Sequence, residues 1–144
     1  MTAESDAPLD GKGPTTSETL DLRSIQPALT VADIDTSLAW YRDVVGFQVG
    51  ETFESDGKVG AAYLKAGAVR LLLVQDNWAK GRDRVKGEGF RLHMATDGDV
   101  DAIAAAIEQR GGTLESPPED TPWGSRAFSL ADPDGFKLTI SSES

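Results

Sequence analysis

The sequence predicts an α+β domain of two βαβββ repeats, whose curved mixed sheets carry helices on one face and surround a hollow with the other. Three observations predict it. Asp33 and Asp99 each stand as an N-cap before an apolar pattern of helical period. Gly46 and Gly112 each stand where those helices end. Both pairs share one offset of 66 residues, and a repeated offset marks duplicated architecture.

The elements follow in order. Ile25 to Val31 alternates as a strand with Leu29 and Val31 on one face. Ile34, Leu38, Tyr41 and Val45 recur at helical spacing, so one helix is expected from Ile34 to Val45. Strands are expected at 47–53, 59–64 and 68–74, with Asp56-Gly57 and Lys65-Ala66-Gly67 as the intervening turns. The second half repeats the plan with a strand at 90–96 and a helix carrying Val100, Ile103, Ala104 and Ile107. Strands at 113–115, 125–130 and 136–140 complete it, the last two joined by Asp132-Pro133-Asp134-Gly135. The expected organisation is a flexible acidic tail over residues 1–22 and one domain over 23–144, with halves at about 24–76 and 89–141.

Composition narrows the function. The 144 residues suit one core, and no apolar run approaches the ~20 residues that span a bilayer. A membrane protein is not expected. The net charge of −10 repels a phosphate backbone, which excludes nucleic acid as the expected partner and favours a cationic ligand. The chain has no cysteine and one histidine, so disulfides, thiolate chemistry and cysteine zinc sites are excluded. The polar, acidic start Met1–Asp6 makes the cytoplasm the expected compartment. Asp97-Gly98-Asp99-Val100-Asp101 has the spacing of acids in a calcium loop, but Ala102 occupies the position that needs glycine and the helical period runs through it. No nucleophile elbow, P-loop or dinucleotide fingerprint occurs.

Val31-Ala32-Asp33-Ile34, the run Trp40-Tyr41-Arg42-Asp43-Val44-Val45-Gly46-Phe47 and the closing Asp132-Pro133-Asp134-Gly135-Phe136-Lys137-Leu138 carry a resemblance over residues 24–141. The chain resembles the vicinal oxygen chelate superfamily, which includes glyoxalase I, bleomycin-resistance proteins and extradiol dioxygenases, and Pro122-Trp123-Gly124-Ser125-Arg126 is similar to its glyoxalase-like branch. In metal-dependent members, the resemblance implies, ligands come from the first and last strand of each half. Counted back from the capping aspartates, the first-strand positions are Gln26 and Leu92, with His93 one residue away; the last-strand positions are Leu72, give or take one residue, and Thr139. Leucines cannot ligate, and threonine is a poor substitute for a carboxylate.

Strand alternation then sets an expected pocket. With Phe90, Leu92, Met94 and Thr96 facing the hollow, His93 and Arg91 turn towards the helices, unless the Asp97-Gly98 turn shifts the register. Tyr63, Phe90, Met94 and Phe128 are the expected apolar wall. Gln26, Thr30, Arg126 and Thr139 are the polar groups expected to orient a ligand, and Trp78 and Trp123 are loop rings able to stack on it. The paired acids read as caps and turns, with Glu119 or Asp120, beside Trp123, as the exception able to border the hollow.

The function expected from these residues is a metal-independent small-molecule binding protein that sequesters an aromatic or cationic ligand, needs no cofactor and pairs as a homodimer. The alternative is a metal-dependent glyoxalase-like lyase, isomerase or dioxygenase in which Gln26 and His93, with Glu119 as a further candidate, hold a divalent ion. Metal-free acid–base catalysis by His93 or a carboxylate facing the hollow is a third.

Overall fold

The computed structural model describes residues 19–143; the expected tail lies outside them as far as position 18. Two four-stranded mixed sheets form, each with helical cover on one face. The first half runs β1 (Ala28–Val31), α1 (Ile34–Ala39), a π-helical segment Trp40–Val45, β2 (Gln48–Ser55), β3 (Lys58–Ala66) and β4 (Val69–Gln75). The second runs β5 (Arg91–Thr96), α2 (Val100–Gln109), β6 (Leu114–Asp120), β7 (Arg126–Ala131) and β8 (Lys137–Ser142). The strand orders are β1-β4-β3-β2 and β5-β8-β7-β6, so each half places its first strand parallel to its last.

The capping aspartates do what their spacing predicts. The Asp33 carboxylate accepts from the Asp35 N–H, and that of Asp99 accepts from the N–H groups of Asp101 and Ala102. The single helix expected from Ile34 to Val45 changes type midway. Its last turn is π-helical, with the Gly46 N–H donating to the Tyr41 carbonyl at 2.9 Å. Gly46 closes it at φ +113°, a conformation that favours glycine.

Strand β6 runs five residues further than expected, through Pro117 and Pro118. It is the edge of its sheet and carries two register shifts against β7. Proline is tolerated there because an edge strand leaves alternate N–H groups without ladder partners.

The core lies between sheets and helices. Leu29, Val31, Leu71 and Leu73 fill the helix-facing side of sheet one, and Phe128, Leu130, Leu138 and Ile140 fill that of sheet two. Three bonds clasp the first half to the β7–β8 turn. The Tyr41 hydroxyl donates to Asp132 Oδ2 at 2.8 Å, the Ala32 N–H donates to Asp134 Oδ1 at 2.9 Å, and the buried Ser37 hydroxyl reaches Asp134 Oδ2 at 3.4 Å. On the far side of the junction, Arg110 donates to the carbonyls of Val44 and Val45, capping the π-helical turn from α2. The segment joining the halves crosses the β7–β8 turn so closely that a Cβ on Gly87 would lie 1.9 Å from the Gly135 carbonyl oxygen.

Candidate functional site

The register of sheet two places its polar residues together on the open face. Leu92 pairs with Leu138, Met94 with Ile140 and Phe128 with Ile140. Because Leu138 and Phe128 are buried beneath the helices, Leu92, Met94 and Phe128 all face the core. Their neighbours alternate to the other side. Arg91, His93, Ser129, Thr139 and Ser141 therefore share the open face.

This reverses the expected facing of β5. One residue, Ala32, separates β1 from its capping aspartate, whereas Asp97 and Gly98 separate β5 from Asp99. The extra residue rotates the whole strand by one step of alternation, the shift that the Asp97-Gly98 turn was able to introduce. Phe128, Leu92 and Met94 are corrected from pocket wall to core. Arg126 moves with Phe128. It points to the helix side, where it donates to both carboxylate oxygens of Asp101 at 2.8 and 3.0 Å and to Asp120 at 3.1 Å. The guanidinium hydrogen bond holds the Asp101 carboxyl below its ordinary range.

On the open face the side chains form two hydrogen-bonded groups. Arg91 Nη1 donates to Thr139 Oγ1 at 2.7 Å and reaches Ser129 Oγ at 3.4 Å, while the two hydroxyl oxygens lie 3.1 Å apart. His93 Nε2 lies 3.0 Å from Ser141 Oγ. A cleft of about 370 Å³ opens over these groups, with Glu119 and Asp120 of β6 on its wall and Trp123 on the turn beyond. Trp123 is 64% exposed, a large ring left bare at the lip. Arg91 has no carboxylate within ion-pairing distance among the described residues.

The open face of sheet one is different in kind. Tyr63 pairs with Leu72, Ala61 with Val74 and Thr30 with Val74, which lays down a mainly apolar surface. Phe53 packs edge-on to Tyr63 at 6.0 Å, and the Arg70 guanidinium stands 4.6 Å from the Tyr63 ring. Gln26 is exposed, two residues ahead of Ala28.

Trp78 and Phe90 have partners already. Trp78 adopts φ +63° after β4, with Arg82 at 4.4 Å and Lys86 at 5.3 Å over its ring. Lys86 also pairs with Asp76, both side chains nearly sequestered, and this bond lowers the Asp76 carboxyl from its ordinary value. Phe90 packs edge-on to Phe136 at 5.8 Å, beside Thr30 and Arg84 in a second crevice of about 310 Å³. Sequence reasoning missed Arg91 and Ser129 because it placed Arg91 under the helices; the Asp97-Gly98 turn allowed either facing, and the burial of Leu138 and Phe128 chose between them.

Comparison with protein-family models matches residues 23–140 to the Glyoxalase/Bleomycin resistance protein/Dioxygenase superfamily. The chain belongs to that superfamily. Among solved structures, TioX from a Micromonospora species is similar at 20% identity, covering 83% of this chain and 98% of its own, with a TM-score of 0.69. A superfamily member from Sphaerobacter thermophilus is 25% identical, with 85% and 98% covered and a TM-score of 0.68. A virulence protein from Salmonella typhimurium is also 25% identical, with 87% and 99% covered and a TM-score of 0.66. No curated protein matches.

Members of the superfamily often bind a metal through donors on the first and last strand of each half. The first- and last-strand positions are related by register: Ala28 pairs with Leu72 as His93 pairs with Thr139. Two residues before Ala28 stands Gln26, and two before His93 stands Arg91. Arg91, not Leu92, is thus the second-half counterpart of Gln26. The four positions hold Gln26, Leu72, Arg91 and Thr139, one neutral amide, one hydrocarbon, one fixed cation and one hydroxyl bonded to that cation. Such a set does not fit a divalent ion, which needs several oxygen, imidazole or thiolate donors and is repelled by guanidinium.

Proposed function

We propose that this protein is a metal-independent small-molecule binding protein of the superfamily, active as a homodimer and holding an aromatic ligand over the open face of sheet two. The Arg91–Thr139 hydrogen bond carries the reading, because it joins two of the four ligand positions in a way that competes with metal. Binding needs shape and a few oriented polar groups, which the Arg91–Thr139 and His93–Ser141 pairs supply with Glu119 and Trp123 around them. Gln26, Thr30 and Tyr63 belong to the proposed site through sheet one. The local charge at Arg91 argues against the cationic ligand that the net charge favours, since near a binding face the closest charges dominate.

The two unlike faces support homodimer formation. Tyr63, Leu72 and Val74 leave an apolar surface half exposed, and Phe53 is 49% exposed beside them. A two-fold pairing sets that face of one copy over the polar face of the other, twice. Light scattering on the purified chain is expected to give twice the 15.3 kDa chain mass; a monomer at micromolar concentration overturns this arrangement. No helix among the described residues is long and apolar enough to cross a membrane, and the cytoplasm is the proposed compartment.

A metal-dependent lyase, isomerase or dioxygenase remains the second reading, and His93 on the open face is the observation that favours it. Elemental analysis, paired with thermal shifts on adding nickel, zinc, manganese or a chelator, separates the two. The expected result is no stoichiometric metal and no shift beyond that of the buffer. A native-state ligand raises stability by mass action, so a large metal-dependent rise overturns the proposal.

A further inference from the structure

We infer that Arg91 is an oxyanion anchor, and that the ligand is a planar aromatic monocarboxylate whose carboxylate docks on its guanidinium and whose ring lies towards Trp123. The inference rests on the proposed binding function and adds the chemical class of the ligand.

Two hydroxyls hold the guanidinium from one side. Nη1 is engaged by Thr139 and Ser129, and Thr139 is itself only 7% exposed. Nε and Nη2 make no bond among the described residues, although these two donors form one edge of the planar fork. A carboxylate matches that edge with two parallel N–H···O bonds, a geometry an ammonium cannot reproduce.

Three other cations of the protein show what a satisfied one looks like. Arg126 is taken by Asp101 and Asp120, Lys137 by Glu115, and Lys86 by Asp76. Arg91 faces a cleft instead of a carboxylate. Glu119, across the cleft on β6, opposes a second negative charge, which restricts the ligand to a monoanion. Trp123 gives a bare ring at the lip of the same cleft, suited to stacking on a flat ligand.

The test is isothermal titration of the full chain with three probes of one shape: naphthalene-1-carboxylate, the neutral naphthalene-1-carboxamide and the cationic 1-naphthylmethylammonium. The carboxylate is expected to bind at least about tenfold more tightly than either other probe. Arg91→Met is expected to remove that preference, costing the carboxylate at least about tenfold more affinity than the amide. Arg91→Lys keeps a weaker preference for the anion, because charge survives and the fork does not. Trp123→Ala weakens all three probes alike. Tighter binding of the cation, an unchanged carboxylate affinity in Arg91→Met, or no binding of any probe at millimolar concentration overturns the inference. Metal content of the same sample keeps the two claims apart: stoichiometric metal overturns the proposed function. A metal-free protein that binds amide and carboxylate equally overturns the ligand class alone.

Discussion

Replacing Phe128 with alanine is expected to cost about 3–5 kcal/mol of stability, the range for removing a buried aromatic ring and leaving a cavity. Phe128 is 1% exposed, on the helix-facing side of β7 with Leu130 two residues on. The measurement is urea unfolding of Phe128→Ala against the unchanged chain. It also tests the register, because a ring lining an open hollow loses little when truncated. A cost under about 1 kcal/mol would return Phe128 to the pocket wall and Arg91 to the helix layer with it.

The second large effect is expected at the clasp between the halves. Tyr41 is fully buried, and burial, first of all, raises its phenol above the ordinary value, so it stays protonated and donates to Asp132. Asp132 Oδ1 also accepts from the N–H groups of Asp134 and Phe136. Desolvation raises the Asp132 carboxyl above its ordinary value in spite of these bonds. Tyr41→Phe removes one bond to a buried acid, with an expected loss of about 1–3 kcal/mol at neutral pH.

The pH dependence of that loss has a definite sign. A raised folded-state pKa means that the folded chain holds the proton more tightly than the unfolded chain. The contribution of Asp132 is thus fully present below the unfolded carboxyl value and declines as pH rises through the folded one. Tyr41 offsets part of that decline by donating to the ionised form. Without it the carboxyl rises further, so the cost of Tyr41→Phe should grow between about pH 4 and pH 7. Unfolding curves for both chains at the two pH values check this, and a cost that shrinks with pH would show that the hydroxyl does not stabilise the carboxylate. The lowered Asp101 works in the opposite direction: its contribution is present above the unfolded value and lost as pH falls through the folded one.

Much of this protein was legible from local chemistry. Asp33 and Asp99 were readable as caps because a short carboxylate ahead of an apolar helical pattern satisfies free N–H groups nearby in sequence. The repeat offset and the Asp132-Pro133-Asp134-Gly135 turn were readable for the same reason, and together they predicted an α+β fold of two mixed sheets. The end of β6 was not, since whether Pro117 and Pro118 can lie in a strand depends on its being an edge. The π-helical turn at Trp40–Val45 was equally hidden, as α and π spacing share the same apolar residues over so short a span.

The sequence by itself determined the repeat, the helix caps, the turn chemistry and the absence of thiol chemistry, all of which depend on residue type and short spacing. Tertiary structure alone decided which face of β5 is open. Side chains in a strand alternate with a period of two, so the single extra residue between Thr96 and Asp99 exchanged the core for the cleft along the strand. That exchange put Leu92 under the helices and brought Arg91 to Thr139, two residues 48 apart in sequence that meet across a parallel strand pair. No local pattern reports such a meeting, because the pairing of β5 with β8 is set by burying Leu138 and Ile140 against the helix layer.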